Sequence, residues 1–424
     1  MLLASIIAAS CLTGMALLHA VASKFFSVVI VNGKRPINPA FQPPTAVLMS
    51  VRGCDPSLER CLRGLLDQTH TNYRVHVVVD NVNDQAWSSV QHVKSEFDTH
   101  GILNILELSD PSNSCSLKCS ALVQAIDQLP PETELVVLVD ADVIPHQEWL
   151  MQATSPLCDP KVGVVTGNQW FEPPANDSGS LLRSLWNAGA LVPTSVLANP
   201  WAGSCAMRLD DMRQSGLIET WRKSIVDDGP IRHAFRPIGK HIVFNPELIM
   251  VNREACTIEY VNRYVPRMLM WSRLHEKTFI NTFLYMIAQI TWLGLTLILG
   301  IVSLVLGLGL SAAICGVALA ANIGLNLFSY LVVRGSIQRI EGRRDEANHQ
   351  HYLEPVRLLR IAKLALLIPL CQLGFGYWMF RSVFKRTVNW RQITYEVTSH
   401  DRIRMVRYSP MIAQLEPTGS EVSI

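Results

Sequence analysis

The stretch "LVVLVDADVIP", residues 135–145, decides the fold. Apolar and β-branched residues run without interruption into Asp140-Ala141-Asp142. A short run with no polar alternation predicts a strand buried on both faces, with the two acids at its C-terminal end. Similar runs occur upstream at "TAVLMSV" (45–51) and "YRVHVVVD" (73–80), and a shorter one downstream at "GVVTG" (163–167). The segments between them read as helices. "SLERCLRGLLDQ" (57–68) is amphipathic, with Ser57 as its N-cap, and "CSLKCSALVQAIDQL" (115–129) follows the second strand. Strands alternating with helices predict an α/β domain around a parallel, doubly covered sheet. Ligands of such sheets bind beyond the carboxyl ends of the strands, where Asp80 and Asp140 both stand.

Composition separates this domain from its flanks. Of the 424 residues, 17% are charged and 49% hydrophobic. Soluble chains carry about 25% charged residues, so the deficit points to membrane segments. It is local. Residues 279–333 contain no Asp, Glu, Lys or Arg, enough for two membrane helices with a break near Gly307–Ser311. Residues 2–24 are uncharged up to Lys24 and predict an N-terminal transmembrane anchor over 1–24. Ala20-Val21-Ala22 also resembles a signal-peptide cleavage site, but no basic segment precedes the apolar run. Lys24, Lys34 and Arg35 follow it, which favours a cytoplasmic position for the domain over 35–275. Four arginines between 334 and 344 give a charged cytoplasmic loop over 334–356. The next membrane segment, 357–381, contains Pro369 and is either a span or re-entrant, leaving a basic C-terminal tail over 382–424. The expectation is a multi-pass integral membrane protein with its α/β domain on the cytoplasmic face. A net charge of +2 gives none of the basic excess of a nucleic-acid binder. The ten cysteines show no zinc spacing and no disulfide framework, and read as reduced thiols.

The acids carry the candidate chemistry. By themselves Asp140 and Asp142 also suit a turn and N-cap ahead of "PHQEWL" (145–150). As a pair they offer hard oxygen ligands to Mg²⁺ or Mn²⁺, ions held by one or two carboxylates plus substrate phosphates. Asp80 is placed to accept a hydrogen bond from a nucleotide base. Lys118 is either an exposed helix lysine or a cation for a phosphate. In "SIVDDGPIRHAF" (224–235), Asp227 and Asp228 are either an N-cap with a solvated neighbour or the source of a general base.

The order Asp80, Asp140-x-Asp142, Asp228, Arg267-Met-Leu-Met-Trp271 resembles membrane-bound inverting glycosyltransferases of the family-two type. Within that group the chain is most similar to ceramide glucosyltransferases. The similarity rests on residues 52–80, "WAGSCAMRLDDMRQSG" (201–216), "RMLMWSRL" (267–274) and "RTVNWRQITYEV" (386–397), and spans about 35–400. The resemblance implies a GT-A-like, Rossmann-like nucleotide-sugar domain flanked by transmembrane helices. It implies transfer of a sugar, glucose first, from a UDP-sugar to the hydroxyl of a lipid such as ceramide. Asp228 would be the base, Asp142 the metal ligand with Asp140 beside it, and Asp80 the contact to uracil or ribose. Arg267 and Trp271 would bind the diphosphate or the acceptor. Met270 departs from the pattern, because the motif has Arg at that position. Trp271 also suits an interfacial aromatic anchor. Two other functions fit the same motifs: a processive polysaccharide synthase, and a membrane scaffold that has lost activity.

Overall fold

The computed structural model describes residues 1–33, 36–344, 353 and 355–411. Lys34, Arg35, most of the expected loop beyond Arg344 and the tail beyond Met411 lie outside the described residues. The chain forms two compact units. One comprises Met1–Gly33, Trp170–Val196 and Arg253–Lys385; the other comprises Lys34–Gln169, Leu197–Asn252 and Arg386–Ile424.

The second unit is the α/β domain. Its sheet contains β1 (Thr45–Val51), β2 (Tyr73–Val79), β3 (Leu103–Glu107), β4 (Leu135–Val139), β5 (Val162–Phe171), β6 (Ser204–Arg208) and β7 (His241–Asn252), in the order β3-β2-β1-β4-β6-β5-β7. β1, β2, β3 and β4 run parallel, as their separation by helices requires. β6 is antiparallel to both β4 and β5, so the sheet is mixed and not wholly parallel. The α/β class stands, with a parallel-dominated sheet. All five residues of β4 are buried, which is why its sequence shows no alternation. The helix Leu58–Leu66 buries Leu58, Cys61, Leu62 and Leu65 on one face, against Val47 and Val137 of the sheet. Each such leucine contributes about 1.5–3 kcal/mol by burial. Strand order reverses between β2 and β4 on either side of β1. The crevice at that switch point is where open α/β sheets hold ligands.

The last part of this unit was not foreseen. Residues expected only as a tail form a second sheet of β8 (Thr387–Trp390), β9 (Ile393–Ser399) and β10 (Arg402–Arg407), antiparallel throughout.

The first unit is helical. Among the described residues, four stretches are long and apolar enough to cross a membrane: Leu2–Ile30, Phe279–Val305, Gly309–Arg344 and Leu358–Phe384. The second and third meet at Gly307, whose φ of +69° lets the chain reverse there. The helix Gly309–Arg344 continues where the sequence placed the start of a loop at residue 334. The reason is Glu172. Arg334 grips it through Nε at 3.0 Å and Nη2 at 2.7 Å, Trp170 donates its indole N–H to the same carboxylate at 3.0 Å, and Arg360 lies 3.5 Å away. A buried arginine matched in this way does not end a helix.

Candidate active site

Three groups of side chains gather at the carboxyl ends of the second unit's strands. The first is an ion-pair chain. Asp140 follows β4, and Lys118 lies in the first turn of the helix Leu117–Asp127. That helix is capped by Ser116, whose Oγ accepts from the Cys119 N–H at 3.1 Å. The Lys118 Nζ reaches Asp140 Oδ1 at 2.5 Å and Asp227 Oδ2 at 2.9 Å. Burial alone would lower the ammonium's pKa, but the Asp140 and Asp227 charges outweigh it and hold it well above the usual lysine value. Lys118 therefore bridges two carboxylates, where the sequence reading offered it to a phosphate or to solvent.

Asp228 adjoins this chain. Burial and then the neighbouring Asp227 charge push its carboxyl up to about 7, with Asp140 adding to the shift. Lys118 and the Gly229 N–H act in the opposite sense. A carboxylate with that affinity for protons is matched to general-base work near neutral pH.

The second group orients Asp142. Its Oδ2 accepts from Gln169 Nε2 at 2.8 Å and from Asn252 Nδ2 at 3.2 Å. These amides come from β5 and the end of β7, and sequence reasoning missed both. The site is also shaped by Gly203. A Cβ there would lie 2.1 Å from the Trp201 ring and 2.7 Å from Asp140 Oδ2. Gly203→Ala is expected to destabilise the protein by about 1–3 kcal/mol and to displace the Asp140 carboxylate. Chemical denaturation, run beside a transfer assay, measures both effects.

Asp140 and Asp142 supply the hard, anionic oxygens that Mg²⁺ or Mn²⁺ prefers, and the Asp140 side chain is 28% exposed. Among the described residues, no group of three or more His, Cys, Asp or Glu is arranged to hold a metal by itself. Two carboxylates of this kind suit an ion that takes the rest of its ligands from substrate phosphate and water.

The third group surrounds Asp80. Its carboxylate is ion-paired with Arg52 Nη1 and accepts from the Tyr408 hydroxyl at 3.2 and 3.3 Å. The sequence reading left this carboxylate to the donor and gave no role to Arg52 or Tyr408. Arg267 and Trp271 lie in the other unit, on the helix Ile258–His275. The Arg267 guanidinium is 5.7 Å from the centre of the Tyr264 ring. Met270 is fully buried, so the position that departs from the motif carries a core side chain.

Among solved structures, the chain is similar to a mannosyltransferase from Pyrobaculum calidifontis in complex with GDP-Man and Mn²⁺. Identity is 16% and the TM-score 0.49, with 90% of this chain and 96% of that chain covered. It is also similar to glucosyl-3-phosphoglycerate synthase from Mycobacterium tuberculosis in complex with Mn²⁺, uridine-diphosphate and phosphoglyceric acid. There identity is 13% and the TM-score 0.38, with 56% and 84% covered. No curated protein sequence matches the chain. The motifs resemble the family-two type, but the model that matches, across residues 3–403, is the one described as Glycosyl transferase family 21, and the chain belongs to that family.

Proposed function

We propose that the chain is a membrane glycosyltransferase that moves a sugar, glucose first, from a UDP-sugar to the hydroxyl of a lipid such as ceramide, with inversion. The observation that carries this reading is Asp228, a carboxyl with a pKa of about 7 beside the Lys118 chain at the strands' carboxyl ends. Asp228 takes the proton of the acceptor hydroxyl as its oxygen attacks the anomeric carbon. A single displacement inverts that carbon and needs only one base. Asp142, oriented by Gln169 and Asn252, and Asp140 would hold Mg²⁺ or Mn²⁺. When bound, the ion offsets negative charge on the departing diphosphate. Asp80 serves the base or ribose of the donor, and Arg267 and Trp271 serve the diphosphate or the acceptor.

The four long apolar helices support a bilayer as the acceptor's source. Arg339, Arg343 and Arg344 close the helix Gly309–Arg344 and support a cytoplasmic position for that end.

The test uses the full chain purified in detergent with Mn²⁺. UDP-glucose and other UDP-sugars are offered with ceramide or diacylglycerol, and UDP release and sugar in the organic extract are followed. Release that depends on the lipid, and that falls by at least about 100-fold in Asp142→Ala, is expected. Sugar accumulating in insoluble polymer would replace this reading with a processive synthase. No release from any donor by folded protein would end it.

A further inference from the structure

The carboxylate assigned to the donor's base is covered by the far end of the chain. The Asp80 side chain is only 3% exposed. Arg52 and the Tyr408 hydroxyl both contact it, and Arg52 is itself a pin between the sheet and the C-terminal segment. Its Nη1 holds Asp80, its Nε donates to the Arg391 carbonyl at 2.9 Å, and its Nη2 donates to the Ser409 carbonyl. The Tyr408 ring lies 5.2 Å from its guanidinium. Arg391 pairs with Asp55 at 2.5 Å, and a Cβ on Gly53 would stand 3.1 Å from the thioether of Met411. C-terminal residues thus pack over the loop that follows β1.

The segment is anchored unevenly. At one end Tyr395 is buried, and its hydroxyl accepts from the Leu117 N–H at 3.1 Å, while the Met405 N–H donates to the Asn113 carbonyl at 2.9 Å. At the other end Tyr408 is 38% exposed and holds Asp80 only through its hydroxyl. The turn joining β8 and β9 places Arg391 and Gln392 at φ of +43° and +66°, a conformation costly for residues other than glycine and sustained here by the contacts of Arg391.

We propose that residues 408–411 gate the donor nucleotide. Tyr408 occupies the acceptor that reads the base, and the base reaches Asp80 only when Tyr408 swings away, with Arg52 remaining on the carboxylate. The exchange is one donor for another: the phenol O–H leaves and an N–H of the base takes its place. Apparent donor affinity is then reduced by the fraction of molecules in which the gate is open. The Tyr395 and Met405 contacts are the hinge, and the exposed Tyr408 end is the moving part. The proposal rests on Asp80 as the base-reading residue.

Two variants and one measurement on the native chain test it. Tyr408→Phe keeps the ring against Arg52 and removes only the hydroxyl. It is expected to lower the KM for UDP-glucose about tenfold, because the competing hydrogen bond to a charged acceptor is gone. A KM that is unchanged or raised makes Tyr408 a bystander or a wall of the site and overturns the gate. Asp80→Asn is the control on the premise. If it raises the donor KM while Tyr408→Phe does not lower it, the gate alone fails. If it leaves the donor KM unchanged, the base reading fails and takes the gate with it. In native protein, UDP with Mn²⁺ is expected to speed proteolytic cleavage after Tyr408, while the Met405 amide, bonded to the Asn113 carbonyl, stays protected from hydrogen exchange. Cleavage after Tyr408 that slows or does not change overturns the proposal without any variant.

Discussion

Asp228→Asn is expected to lower kcat by about 10²–10⁴-fold. The amide is nearly the same shape and keeps an oxygen for the Gly229 N–H, so folding and nucleotide binding should survive. What it lacks is the capacity to take a proton. The native pH profile gives an independent check. Burial and the Asp227 charge raise the carboxyl's pKa to about 7. The base works only when ionised, so kcat/KM should climb as pH passes through about 7 and level off above it. The same shift acts on stability with the opposite sense. The folded pKa lies above the unfolded value of 3.8, so the folded state holds the proton more tightly. Its contribution is fully present below that unfolded value and is lost as pH rises through about 7. A profile flat across this range would remove Asp228 from the base role.

Lys118→Met should have the next largest effect. The ammonium joins Asp140 and Asp227, and its side chain is 26% exposed. Removing one partner of a buried ion pair costs about 3–5 kcal/mol, and partial access of water to Lys118 and Asp140 places this case toward the lower figure. Urea unfolding at pH 8 measures the loss. The variant also has a kinetic signature. Lys118 lowers the pKa of Asp228, so its removal should move the rising limb of the pH profile to alkaline pH. A limb that stays in place, with a raised donor KM, would instead return Lys118 to the role of a phosphate contact.

The parts of this protein that were legible in the sequence are those whose signal is local. β1, β2 and β4 are buried runs that end in a turn or an acid. The charge-free residues 279–333 announce themselves by composition. Asp140, Asp142, Asp227 and Asp228 stand out as paired acids that follow apolar residues, although turns and N-caps use the same residue type. What was missed depends on partners distant in the chain. Gln169 and Asn252 are neutral amides in apolar strands, and only the fold brings them to Asp142. Arg334 looks like the start of a loop until Glu172, 162 residues earlier in sequence, is seen to neutralise it. The pairing of Asp80 with Tyr408 leaves no local pattern at all. The antiparallel β6 was missed for a different reason, since "SCAMR" is too short and too mixed to declare itself a strand.

The Tyr408–Asp80 contact also has a consequence for the order in which the molecule is made. The two residues are 328 positions apart. At about 5–20 residues per second, roughly 15–65 s of synthesis separate them. By the end of that interval every strand of the larger sheet and the four long helices described above have been made. The nascent chain therefore acquires each residue assigned to sugar transfer before it has the means to cover Asp80. A message ending just past Lys385 would encode every residue assigned to sugar transfer and none of the segment that covers Asp80.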